Sequence, residues 1–277
     1  MKPKPLRTRL DVLLVERGLA DSQQKAQAMI LAGEVSVDQV HARKAGMPVA
    51  SDAQIELTSR HQKYASRGGL KLEGALEDFS INPSGLTCLD LGSSTGGFTD
   101  CLLQHGATRV YAVDVTIAQL AWKLQNDPRV IAIERNAREL KPEDLRVNSE
   151  DLRINRDGLR VGARHAVPDL QSSAPEQVDL VVADVSFISV SKILAPAAAC
   201  AKTNANFLIL VKPQFELGRE EIPEGGIVKD NALHEKAIAA VKKAAEAAGL
   251  LILKVAPSRL TGAEGNQEYF LHARKES

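Results

Sequence analysis

Four charged side chains stand where their types could do chemistry: Lys71, Asp184, Lys212 and Glu268. Lys71 follows Arg67-Gly68-Gly69, Asp184 ends the apolar run 178–183, and Lys212 ends the run 207–211. Glu268 stands just ahead of a last apolar stretch that opens Tyr269-Phe270. Singly, a charge at the end of an apolar run marks only where a core stops. Two lysines grouped with two carboxylates suit methyl transfer to an alcohol. A ribose 2′-hydroxyl is a poor nucleophile and must lose its proton as it attacks. A lysine can take that proton while its amine is neutral. Burial and a second lysine favour that form, whereas carboxylates oppose it and fix the amine's direction. Lys212 is therefore expected as proton acceptor, with Lys71, Asp184 and Glu268 orienting it and the substrate oxygen. Much of the acceleration would come from aligning nucleophile, methyl and leaving group.

A second constellation would seat the methyl donor. Thr87-Cys88-Leu89-Asp90-Leu91 runs into Gly92-Ser93-Ser94-Thr95-Gly96-Gly97, and Val110-Tyr111-Ala112-Val113 ends in Asp114. This reads as strand, tight turn, helix and a second strand tipped with a carboxylate. Glycines let the backbone approach a ligand closely, and the second acid can grip a ribose diol. The spacing Gly92-x-x-x-Gly96-Gly97 departs from the dinucleotide pattern Gly-x-Gly-x-x-Gly. It is the version expected for S-adenosylmethionine, which has no pyrophosphate to seat on a helix N-terminus. Gly92, Ser93, Gly96, Gly97 and Asp114 are the cofactor residues this predicts.

Those residues need a sheet beneath them. Strands are predicted near 87–91, 109–113, 129–133, 178–183, 206–211, 250–256 and 267–273, and helices near 70–79, 96–105, 117–124, 188–201 and 231–248. The alternation predicts an α/β, Rossmann-like doubly wound sheet with ligands beyond the carboxyl ends of its strands. The last two strands leave no room for a helix between them, so the final one should run antiparallel. Ahead of this lies a small α+β unit, with helices stopped by Gly18 and Gly33 and short strands at 35–37 and 55–57. The expected division is 1–58, a basic linker 59–69, and 70–277. Within the last, the polar stretch 146–177 reads as a mobile surface insertion, a lid being the alternative.

Charge balances over the 277 residues, 35 basic against 35 acidic. Residues 1–70 nevertheless carry eleven Lys and Arg against seven Asp and Glu, which suits a module facing nucleic acid. Cys88, Cys101 and Cys200 have no pair or metal spacing and read as core thiols of a reducing compartment. The six histidines show no ligand spacing, so no metal is expected. Neither a signal-type apolar stretch nor a membrane span is visible, and a cytoplasmic, soluble protein is expected. Nothing in the sequence sets an oligomeric state.

The chain resembles the TlyA/haemolysin A family of ribosomal RNA 2′-O-methyltransferases, an S4-like RNA-binding domain fused to an FtsJ-like methyltransferase domain. The resemblance rests on Arg9-Leu-Asp-Val-Leu-Leu-Val-Glu-Arg17, Ser66-Arg-Gly-Gly-Leu-Lys71-Leu, 90–100, Val110-Tyr-Ala-Val-Asp114-Val, Glu134-Arg-Asn136, Ala183-Asp184-Val-Ser-Phe187-Ile-Ser, Val211-Lys212-Pro-Gln-Phe-Glu216 and Gly225-Gly-Ile-Val-Lys-Asp230, in family order across nearly the whole chain. It implies that the catalytic tetrad falls on Lys71, Asp184, Lys212 and Glu268, and the cofactor contacts on Gly92, Gly96, Phe98, Asp114 and, near the adenine, Asn136. It also implies ribosomal RNA or a ribosomal subunit as partner, with cytidine as target. Arg9, Lys25, Arg43, Lys44 and Arg67 are the RNA-facing cations.

Some positions depart from the family pattern. Ser22-Gln23-Gln24-Lys25 leaves Lys25 as the main basic residue of its helix, and Asp38-Gln39 replaces the usual Asn-Gly, which weakens the expected hairpin. Trp122 is expected in the core, and Tyr64 as an RNA-stacking ring or an interdomain wedge. Two other classes compete: a pore-forming haemolysin, opposed by the missing membrane segments, and a non-catalytic RNA-binding factor, opposed by the complete tetrad.

Overall fold

The computed structural model describes residues 7–20, 22–31, 35–38, 40–42, 44–57, 63–145, 175–262 and 265–276. Contacts divide the chain into two units, Met1–Lys63 and Tyr64–Ser277.

The first unit runs β1 (Arg7–Arg9), α1 (Leu10–Glu16), α2 (Gln23–Leu31), β2 (Val35–Val37), β3 (Val40–His41), β4 (Pro48–Ala50) and β5 (Ile55–Leu57). Apolar residues at helical spacing, Leu10 and Leu14 on α1 with Ala26 and Ile30 on α2, close over Val35 as its core. Gly18 ends the α1 region at φ +67°, and Ser22 Oγ accepts the Lys25 N–H to start α2. The β2–β3 hairpin does form without Asn-Gly: Val37 pairs with Val40, and Asp38 takes φ +48°. Aspartate, like asparagine, tolerates that left-handed conformation.

The second unit runs α3 (Gly68–Asp78), β6 (Thr87–Leu91), α4 (Gly97–Gln104), β7 (Arg109–Asp114), α5 (Trp122–Gln125), β8 (Val130–Glu134), β9 (Val178–Ala183), α6 (Leu194–Ala199), β10 (Ala201–Val211), α7 (Pro213–Glu216), α8 (Asn231–Ala247), β11 (Leu250–Pro257) and β12 (Tyr269–Lys275). Its seven strands lie in the order β11-β12-β10-β9-β6-β7-β8. Alternation along each strand feeds two cores. Leu89, Leu91, Tyr111 and Val113 face Leu194 of α6 and Val241 of α8. Cys88, Val110 and Ala112 face Leu72 of α3 and Leu102 of α4. Strand order reverses beside β6, where Leu91 pairs with Ala183. β12 is antiparallel to both neighbours, as expected, and pairs Tyr269 with Val211. All three cysteines are buried, and burial pushes the Cys200 thiol up to about 12.

Three expectations are corrected. Residues 64–69 belong to the second unit instead of a linker, because Tyr64 is buried in its core and donates to Glu73 Oε1. That burial also takes Tyr64 out of reach of an RNA base. Trp122 is 77 % exposed, since the short α5 packs through Leu124 instead.

Of the expected insertion, 146–174 lies outside the described residues. Its roots are joined, with the Glu176 N–H donating to the Leu145 carbonyl at 3.0 Å. The Glu176 carboxylate takes Tyr111 Oη at 2.5 Å and Arg109 Nη1 at 2.6 Å, at the amino ends of the strands. Replacing 148–172 with a short Gly-Ser turn is therefore expected to leave cofactor affinity unchanged. Thermal melting should show stability level or raised by about 1 kcal/mol, because a shorter loop costs less entropy to close.

Candidate active site

The carboxyl ends of β6 and β9 open a cleft of about 200 Å³. Gly92, Ser93, Gly97 and Phe98 line one side of it, Asp184, Ser186 and Lys212 another, and Arg67 and Lys71 a third. The turn can only be glycine at Gly92: its φ is +84°, and a Cβ there would stand 2.6 Å from the Asp184 carbonyl oxygen. At Gly97 a Cβ would come within 3.0 Å of the Gly69 N atom, so α3 and α4 begin almost in contact. That approach carries Lys71 to the cleft.

The four charges form two pairs. Lys71 Nζ donates to Glu268 Oε2 at 2.5 Å, with both side chains buried. Lys212 Nζ lies 2.6 Å from Asp184 Oδ1, without hydrogen-bond alignment, and donates to Ser186 Oγ at 2.8 Å. Antiparallel pairing is what brings Glu268 here, because the start of β12 lies beside the end of β10, one residue short of Lys212. A parallel last strand would have put Glu268 at the far edge.

Other predicted residues sit around this centre. Gly96 precedes α4 at φ +93°. Asp114, at the tip of β7, accepts the Ser94 N–H at 2.9 Å and the Thr116 N–H at 3.1 Å, which ties the glycine turn to the second strand. Asn136 is not among the lining residues; its Oδ1 accepts the Arg138 N–H at 3.1 Å and caps a short turn after β8. Arg67 lines the cleft and donates to the Thr261 carbonyl at 2.9 Å. In the first unit Lys25 and Lys44 are exposed, and Arg9 is held by the buried Asp11 at 2.7 Å, whose carboxyl it keeps well below the usual range. Arg43 lies outside the described residues.

Sequence reasoning missed Ser186 and Phe187. A hydroxyl two residues past a strand-end acid was the available signal for Ser186. Phe187 is 89 % exposed at φ +66°, tilted against Phe215 at 5.5 Å. A bulky residue holds that conformation only where its surroundings over-determine it.

Asp90 lies wholly buried under the turn. Its Oδ2 accepts Thr99 Oγ1 at 2.6 Å, and its Oδ1 has no hydrogen-bond partner among the described residues. Burial pushes this carboxyl up to about 7 from an ordinary 3.8. The folded state then holds the proton more tightly than the unfolded chain, so stability falls as pH rises from about 4 to about 7. Asp90→Asn removes the titration, and melting temperatures measured across that window are expected to flatten.

A sheet with one reversed strand, a glycine turn at its topological switch and an acid-tipped neighbour define a class I-like methyltransferase domain. The chain belongs to the TlyA/haemolysin A family of FtsJ-like methyltransferases: the FtsJ-like methyltransferase model matches residues 64–275, and the S4 domain model matches residues 8–55. It is 42 % identical over 273 residues, 98 % of this chain and 91 % of the other, to the 16S/23S rRNA (cytidine-2′-O)-methyltransferase TlyA of Mycobacterium tuberculosis. It is 39 % identical over 267 residues, 95 % of this chain and 98 % of the other, to Hemolysin A of Brachyspira hyodysenteriae. The solved structure called "Putative hemolysin from Streptococcus thermophilus" superposes with a TM-score of 0.68 at 34 % identity, covering 98 % of this chain and 90 % of that one. Among the described residues no helix is long and apolar enough to cross a membrane, and no His, Cys, Asp and Glu group could hold a metal ion.

Proposed function

We propose that this chain transfers a methyl group from S-adenosylmethionine to the 2′-hydroxyl of a cytidine in ribosomal RNA. The observation that carries the reading is that Lys71, Asp184 and Lys212 line one glycine-walled cleft, with Glu268 paired to Lys71 behind it. The cradle suits the cofactor. Gly92, Ser93, Gly97 and Phe98 line it, and the buried Ser93 Oγ, at its wall, has no partner among the described residues. Gly96 and Phe98 would complete that seat, Asp114 would take the ribose diol and Asn136 would stand near the adenine. When bound, S-adenosylmethionine supplies an electrophilic methyl on a sulfonium.

The protein's share is orientation and one proton. Lys212 Nζ accepts the 2′-hydroxyl proton, Asp184 and Ser186 aim that amine, and the Lys71–Glu268 pair holds the oxygen in line. Phe187 offers an open face on which the target base can stack. Arg9, Lys25, Arg43, Lys44 and Arg67 take RNA phosphates, so affinity falls with salt. An rRNA substrate places this work in the cytoplasm.

The test is incubation of the protein and labelled S-adenosylmethionine with ribosomal subunits that lack the modification. Label recovered as 2′-O-methylcytidine is the expected result; cofactor binding without label in any ribose overturns it.

A further inference from the structure

The motif Gly225-Gly226-Ile227-Val228-Lys229-Asp230 takes no part in the chemistry above, yet its backbone is tied to the segment that carries Glu268. The Val228 N–H donates to Asn266 Oδ1 at 2.8 Å, and Asn266 Nδ2 donates to the Gly226 carbonyl at 3.0 Å. His234 bridges the same two segments, with Nε2 2.8 Å from the Val228 carbonyl and Nδ1 2.9 Å from Tyr269 Oη. Asn266 is 1 % exposed and stands two residues before Glu268. Its own carbonyl accepts the Gly262 N–H at 2.8 Å, closing a turn beneath the carboxylate. Gly262 is so close that a Cβ on it would lie 2.8 Å from Glu268 Oε1. The adjoining Thr261 carbonyl holds Arg67. Glu268 thus has the turn on one side and Lys71 on the other.

We propose that Asn266 is a positioning residue for the Lys71–Glu268 pair: by tying 226–228 to Gly262 and to the residues just ahead of β12, it holds the Glu268 carboxylate against Lys71. The proposal rests on the methyltransferase reading above. Glu268 is a long side chain, and the backbone of the turn at Gly262 borders its carboxylate on the side away from Lys71. A shift of about 1 Å in such a group can cost on the order of 10²-fold in rate.

The experiment is a double-mutant cycle on the full chain, read as single-turnover methylation beside cofactor affinity and melting temperature. Asn266→Asp keeps an oxygen for the Val228 N–H but loses the donor to Gly226. Its rate is expected to fall about tenfold or more while cofactor affinity stays within about twofold. Placed on Glu268→Gln, it should cost nothing further, because the group it positions is already disabled. Asn266→Ser, which keeps one hydroxyl for Val228, gives a gentler version should the aspartate variant fold poorly. An equal fall in both backgrounds, or a full rate in Asn266→Asp, overturns the proposal. A wild type that moves no methyl overturns the functional reading and the proposal together, so the wild-type lane tells the two failures apart.

Discussion

Lys212→Ala is expected to slow methyl transfer by about 10³-fold, the usual worth of a positioned proton acceptor. Cofactor affinity should hold, because the glycine turn that forms the seat is a separate piece of chain. The amine sits 2.6 Å from Asp184 and 2.8 Å from Ser186, and both partners fix where it points. Charge and proton transfer are separable by Lys212→Arg. A guanidinium keeps the positive charge and can pair with Asp184, but it cannot give up a proton at accessible pH. If Lys212 accepts the proton, the arginine variant is as slow as the alanine one. If the lysine acts only as a cation beside the oxygen, arginine recovers much of the rate. Single-turnover methylation, with calorimetry confirming that the cofactor still binds, makes the measurement.

Gly92→Ala is expected to weaken cofactor binding by about 100-fold or more. A side chain in the left-handed region costs roughly 1–2 kcal/mol by itself. Here the added carbon also meets the Asp184 carbonyl oxygen at 2.6 Å and Val185 Cγ1 at 3.1 Å. That neighbour is backbone and cannot swing away, so either the turn or the end of β9 moves. Both are walls of the cleft. Gly85→Ala is the matching control: its φ is +79°, but among the described residues nothing lies within 4 Å of the added carbon. It should show the conformational cost in melting temperature and no change in calorimetric affinity.

The alternation of apolar runs with amphipathic stretches was enough to place every strand of the large sheet to within a few residues except β10. That strand begins at Ala201 instead of 206, because a polar stretch, Lys202-Thr203-Asn204, extends its start. The reversed last strand was legible because 258–268 is too short for a crossover helix. Asp184, Lys212 and Glu268 drew notice because each ends or precedes an apolar run, and Lys71 because it follows Arg67-Gly68-Gly69 at a helix start. How the four divide into Lys71–Glu268 and Lys212–Asp184 depends on strand order and on the near contact of two helix starts, neither of which a linear pattern encodes. Trp122 was misread, and the RNA-stacking reading of Tyr64 failed, for a related reason: type and spacing do not say which face of a short segment meets the core.

The antiparallel closing strand also sets an order of events. The cleft's walls come mostly from residues 66–98, whereas Glu268 arrives with a strand that can pair with β10 only after 269–275 has been made. Synthesised from its amino end, the chain has its glycine turn long before Glu268, the fourth of the paired charges. A product broken off ahead of that strand would be left without the partner of Lys71. Such a fragment would keep most walls of the cleft and lack the charge proposed to complete its chemistry.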